Sequence, residues 1–140
     1  MKSSKVIKII SIILLAGALF IIDRPLATAI VSHDGSRVLT KGGTASYYSY
    51  ECADLPMANR ELFDPEKRTC ASWFYKFGTI LIVKSLDTGR VTEVVVTDRG
   101  PNMRLVKEGR IIDLSKRAVQ DICPLEKGRT KVVVAVKKPA

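Results

Sequence analysis

The chain is poor in the residues that most nucleic-acid and metal proteins rely on. It has one histidine, one tryptophan and aromatics at only 6% of its residues. No run of Lys and Arg is interleaved with aromatics, so single-stranded nucleic acid has no stacking platform to read. No Cys-x-x-Cys pair occurs, and the sole histidine, His33, stands in a polar stretch near the N-terminus, so no zinc or other metal site is expected. Internal repeats and low-complexity segments are absent, which excludes solenoids and arrays. The longest apolar run, Ile9 to Ile22, is shorter than the roughly 20 residues of a spanning helix. Acid is scarce too: 14 acidic residues face 23 basic ones, for a net charge of +9.

Lys2, Lys5 and Lys8 precede that apolar run, and Ala27-Thr28-Ala29 follows it. A basic start, an apolar middle and small residues are the parts of a secretory signal. Residues 1–29 are therefore expected to be a signal peptide cleaved after Ala29, or else an uncleaved N-terminal anchor stopped by Asp23-Arg24-Pro25. No cysteine follows closely, so a lipid-modified N-terminus is not expected. Cleavage would remove Lys2, Lys5, Lys8 and Arg24 with Asp23, lowering the net charge from +9 to +6. A basic exported domain is drawn to polyanions, of which wall polymers and anionic lipid fit an exported protein better than nucleic acid does. Export also permits a disulfide. The three cysteines are an odd number, so a Cys52–Cys70 bridge is one option and at least one thiol stays free or pairs with another chain.

Residues 30–41 read as a leader and 42–140 as one domain, opening at Gly42-Gly43. Thr44 to Tyr50 reads as a strand, and the polar, proline-containing Glu51 to Lys67 as an excursion loop. Thr79 to Leu86 and Arg90 to Thr97 flank Asp87-Thr88-Gly89 and predict a hairpin. Asp113 or Ser115 can cap a helix through Ile122, with Leu114, Ala118, Val119 and Ile122 on one face and Cys123-Pro124 ending it. Lys131 to Lys137 is the last strand. The near-continuous VVVT and VVVAV runs suggest central strands buried on both faces of a small, mainly β barrel.

Chemistry concentrates in VVVTDRGPNMRLVKEGRIIDLS, Val94 to Ser115. Asp98 ends a buried strand at a Gly-Pro turn, where it is either the cap of that turn or a rigidly held acid/base. Burial and neighbouring cations tune a carboxyl group in opposite directions, which is what glycosidic cleavage requires of its acid. Glycoside chemistry often uses two carboxyl groups, and Glu61, Asp64 and Glu66 are available in the excursion loop, where each is also an ordinary solvated charge. Asp113 suits a helix cap. Arg110 can bind a sugar hydroxyl or an anion, or pair with Asp113 or Asp98. Tyr47, Tyr48 and Trp73 can stack on sugars or fill a core.

In order, GTASYYSY, FDPEKRTCASWFYKFGT, VVVTDRGPNMRLVKEGRIIDLSKRA and KGRTKVVVAV resemble the rare lipoprotein A (RlpA) family over about residues 42–137. The resemblance implies a six-stranded double-psi β-barrel with one or two short helices, related to expansins and barwin. It implies an exported, endolytic lytic transglycosylase that cuts between N-acetylmuramic acid and N-acetylglucosamine and leaves a 1,6-anhydro end, without metal or organic cofactor. Asp98 then stands as the principal acid/base and Glu61 as its assistant, with Arg99, Tyr48, Arg110 and Asp113 holding substrate. The family reads close to T-A-A-H before its F-G-T; here the stretch is Thr69-Cys70-Ala71-Ser72, so Ser72 occupies the functional histidine's place. A serine carries no charge near neutral pH. With the chain ending at Ala140, just past the last strand, no glycan-binding repeat module is expected, and a monomer is. Peptidoglycan strands or another wall polysaccharide are the expected partners, with membrane contact only through the N-terminal segment. The competing reading is a non-catalytic, expansin-like binder that loosens wall polymer; a barwin-type inhibitor is a third.

Overall fold

A computed structural model describes residues 30–31, 37–38 and 40–138. The expected signal segment, its alternative as an anchor, and His33 lie outside the described residues. Among those described, the elements are β1 (Ile30–Val31), β2 (Arg37–Val38), β3 (Thr40–Tyr47), β4 (Thr69–Ala71), β5 (Ile80–Ser85), β6 (Val91–Asp98), α1 (Met103–Lys107), β7 (Arg110–Leu114), α2 (Lys116–Ile122) and β8 (Thr130–Val136). β1 pairs with β2, while the other six strands close into a barrel in the order β3-β7-β4-β6-β5-β8. Closure removes the exposed edges that an open sheet would present. β3 runs parallel to β7, and β4 parallel to β6, whereas the remaining neighbours are antiparallel. This is the mixed six-stranded barrel of the double-psi kind.

Period-2 alternation decides what goes inside. Leu81 and Val83 of β5, Val94 and Val96 of β6, Ile112 and Leu114 of β7, and Val132 and Val134 of β8 are all buried. Each such side chain contributes about 1.5–3 kcal/mol by leaving water. The intervening Val95 and Val133 are only half-buried, and Val91 and Val136 are exposed. The VVVT and VVVAV strands are thus not covered on both faces, because a single-layer barrel has one interior and α2 shields only part of its outside. α2 is capped as expected, with the Ser115 hydroxyl oxygen accepting from the Ala118 amide. It buries Ala118, Val119 and Ile122.

The hairpin forms as read, β5 against β6. Other boundaries move: β3 begins at Thr40 and ends at Tyr47 rather than spanning Thr44 to Tyr50. Gly43 is needed in it, since a Cβ there would lie 2.7 Å from the Gly109 carbonyl oxygen and from the Ile111 side chain. The charged loop after the Gly-Pro turn contains α1, whose first turn is capped by Asn102 accepting from the Arg104 amide. β4 and β7 are short strands whose period is too brief to see in one dimension. Asp113 belongs to β7 and caps nothing.

Candidate functional site

The site forms where parallel β4 and β6 both end. Ala71 pairs with Asp98 across an irregularity in their ladder, so Asp98 is the last residue held by the sheet before the chain turns. Its carboxylate is half-buried and triply bonded. Oδ2 accepts from the Tyr48 hydroxyl at 3.0 Å, and Oδ1 accepts from the backbone amides of Arg99 and Ala58, each at 2.8 Å. The Arg99 bond is the turn cap that the sequence allowed. The Tyr48 and Ala58 bonds come from distant parts of the chain and lock one rotamer. A small open pocket of about 140 Å³, lined by Tyr48, Met57, Phe63 and Asp98 among others, lies beside the carboxylate.

Ala58 reaches Asp98 because residues 57–61 fold back as a turn. The Met57 amide donates to the Glu61 carbonyl at 2.8 Å and the Asn59 amide to the Thr97 carbonyl at 3.2 Å. Arg60 takes a positive φ of 74° to make this possible. Nothing in a polar loop announces such an amide. Phe63 packs on Tyr48 with ring centroids 5.2 Å apart, fixing the phenol from its other side.

A carboxyl group that feels the charge of Asp98 is Asp113. A Cβ on Gly100 would lie 3.4 Å from the Tyr48 hydroxyl and 3.7 Å from Asp113 Oδ2, so the DRGP turn passes directly over both. The tightest approach there is to the Ala71 side chain, 3.2 Å from that Cβ, so a larger residue would press on the end of β4. Asp113 is buried and accepts from Arg110 Nε at 2.7 Å. Burial pushes its carboxyl above the usual range, Arg110 opposes that shift, and Asp98 adds to it. Tyr48 is likewise pushed up, chiefly by burial and then by Asp98, so its phenol stays a protonated donor. The four groups Tyr48, Asp98, Asp113 and Arg110 thus form one coupled cluster.

Glu61 is exposed, and its carboxylate accepts from the Asn59 side chain at 2.8 Å. Asp64 accepts from the Glu66 amide as an ordinary turn residue. Ser72 is fully buried: its hydroxyl donates to the Ile111 carbonyl and accepts from the Phe74 amide. A side chain so enclosed does not reach a ligand. Arg99 is also committed elsewhere. Its Nη1 donates to the carbonyls of Ser72 at 2.7 Å and Tyr75 at 2.9 Å, and its guanidinium lies 3.8 Å above the Phe77 ring. It clasps the β4–β5 loop to the DRGP turn rather than facing substrate. Tyr47 packs on the core and donates to the Leu125 carbonyl.

Cys52 and Cys70 are free thiols, as is Cys123, so the Cys52–Cys70 bridge does not form. Cys70 is a core residue, its thiol pushed up by burial and by Asp113, while Cys52 borders the Asp98 pocket. Among the described residues, no three His, Cys, Asp or Glu side chains converge as metal ligands would. None of the described helices is long and apolar enough to cross a membrane.

Comparison with known proteins places this geometry. A family model described as lytic transglycolase matches residues 40–134. The chain is 34% identical over 97 residues to a probable endolytic peptidoglycan transglycosylase RlpA of Treponema pallidum, covering 69% of this chain and 29% of that protein. It is 34% identical over 103 residues to the endolytic peptidoglycan transglycosylase RlpA of Vibrio cholerae, covering 71% and 38%. The chain therefore spans about a third of the length of these curated relatives. Among solved structures, the fold is shared with an expansin of Clavibacter michiganensis at a TM-score of 0.54 and 21% identity, over 72% of this chain and 52% of that one. A mutant of that expansin was solved in complex with cellohexaose. A Streptomyces papain inhibitor aligns at a TM-score of 0.55 and 21% identity, over 71% and 94%.

Proposed function

Since the chain belongs to the lytic transglycolase family, we propose that it is an exported enzyme of the periplasm or cell wall. It cleaves peptidoglycan glycan strands to 1,6-anhydro ends. The observation that carries this reading is the Asp98 carboxylate, immobilised by Tyr48 and two amides at a pocket mouth with Asp113 behind it.

Such a cleavage needs one proton delivered to the glycosidic oxygen and one removed from the C6 hydroxyl of the muramic acid. A single carboxyl group does both in turn. Asp98 in its acid form gives its proton to the leaving oxygen as the bond to C1 breaks. Its carboxylate then takes the C6 hydroxyl proton as that oxygen closes on C1, which returns Asp98 to its starting state without consuming water. Asp113 shares the site: burial raises its carboxyl first and the neighbouring Asp98 charge adds to that push, so Asp113 is drawn toward its protonated form. Arg110 limits this by neutralising Asp113. Glu61, on the rim of the same turn that delivers Ala58, is an exposed assistant able to contact an incoming strand.

A specific observation favours the second reading, a binder that does not cut. Ser72 offers no titratable group where the family resemblance expects a histidine, and it is sealed from solvent. The test is incubation of the protein with purified glycan strands and mass spectrometry of the products, beside Asp98→Asn. Anhydro-ended products that vanish in the variant support the enzyme. Sedimentation with sacculi and no products from either protein would establish the binder instead.

A further inference from the structure

We propose that the cleft between α1 and the β4–β5 loop, together with the exposed indole of Trp73, next to Phe74 in that loop, is a further glycan subsite that takes a sugar bearing a carboxylate. The proposal rests on the peptidoglycan reading above. The cleft measures about 480 Å³ and is walled by Phe74, Val106 and Ile111, with Lys41 and Lys107 at its margin.

Its place follows from β7. Ile111 of the cleft wall and Asp113 of the carboxyl cluster are two residues apart on the same face of that strand, about 7 Å along it. A strand gripped in the cleft would run toward the bond to be cut.

An exposed aromatic by itself calls for no explanation. Here two consecutive ones, Trp73 at 47% exposure and Phe74 at 41%, stand where solvent would normally select polar residues. Trp73 is also anchored, its Nε1 donating to the Pro101 carbonyl at 2.7 Å. The ring is thus open but immobile, and stacking a pyranose on it requires little further ordering. Lys41 lies 3.8 Å from the centre of the Phe74 ring. Neither Lys41 nor Lys107 forms an ion pair among the described residues. The cleft's one carboxylate, Glu108, leans toward Arg104 at 3.9 Å. Two cations without a carboxylate partner, one of them resting on the Phe74 ring, match a muramic acid residue, whose carboxylate comes from its lactyl ether or from the stem peptide attached there.

The full chain is titrated with denuded glycan strands, with peptide-bearing strands and with neutral chitohexaose. Trp73→Ala is expected to weaken all three by about tenfold, whereas Trp73→Phe, which keeps a ring, weakens them by about threefold or less. Lys41→Gln with Lys107→Gln should weaken strand binding about fivefold at low salt, and chitohexaose binding less than about twofold. A lysine effect seen with denuded strands assigns the lactyl carboxylate; one seen only with peptide-bearing strands assigns the stem. Melting curves establish that each variant is folded. Wild-type affinity in Trp73→Ala or in the double lysine variant, with the wild type binding normally, overturns the subsite alone. A wild type that binds and cuts none of the three ligands overturns the peptidoglycan reading and the subsite with it.

Discussion

Replacing Tyr48 with phenylalanine deletes one oxygen and leaves the ring against Phe63. That oxygen donates to Asp98 Oδ2 at 3.0 Å. A hydrogen bond to a charged group contributes about 1.5–3 kcal/mol. Both partners are only half-buried, so water can replace part of the loss and the lower figure applies. About 1.5 kcal/mol in a domain of this size lowers Tm by about 6–12 °C. The effect on chemistry should be larger than on stability. With both remaining donors on Oδ1, the carboxylate regains freedom about its last bond, and misplacement of a catalytic group costs up to about 100-fold. A fall in kcat of roughly 10- to 100-fold with KM little changed is therefore expected. The assays are thermal unfolding and release of anhydro-ended fragments. Because burial and Asp98 push the phenol up, the wild-type pH profile should show no step where a free tyrosine ionises. A variant that melts within about 1 °C of the wild type and cuts at its rate would refute the claim that Tyr48 holds Asp98.

Three further outcomes are expected. Arg99→Lys should cost about 2–3 kcal/mol by chemical denaturation, since an ammonium cannot keep two carbonyls and the Phe77 ring together; a loss under about 0.5 kcal/mol would remove the clasp. Ser72→Ala should cost about 1 kcal/mol by freeing two backbone groups and leave turnover as it was, so a collapse of turnover with folding intact would return Ser72 to the chemistry. The carboxyl of Asp113 is raised when folded, so between its ordinary value of 3.8 and its folded value the native state binds more protons than the unfolded chain. Stability from this group is full below 3.8, falls as pH climbs to the folded value and is flat above. Tm measured across that range should show this slope in the wild type and lose it in Asp113→Asn; identical slopes would contradict the burial.

Local pattern carried a long way where a single element sufficed. The β5–β6 hairpin, the α2 cap at Ser115 and the strand end at Asp98 each depend on neighbours in the chain, and each was legible. The three-residue β4 was hidden because it has no period long enough to detect, and β7 shows no alternation because Ile111 to Leu114 are buried on both of its faces, Asp113 among them. Two-sided burial of the valine runs was a misreading with a clear cause. Apolar continuity marks a surface that can be covered, and only the barrel's single interior determines which face is.

The sequence alone determined the chemistry available: a carboxylate at a rigid turn, a second one in RIIDLS, a basic surface, and serine where a histidine was expected. Tertiary structure decided the assignments, because they depend on groups dozens of residues apart. Closing the barrel put Tyr48 and the Ala58 amide on Asp98, drew Asp113 near it, spent Arg99 on backbone carbonyls and sealed Ser72. No spacing along a chain encodes those distances; they follow from strands that pair across long loops.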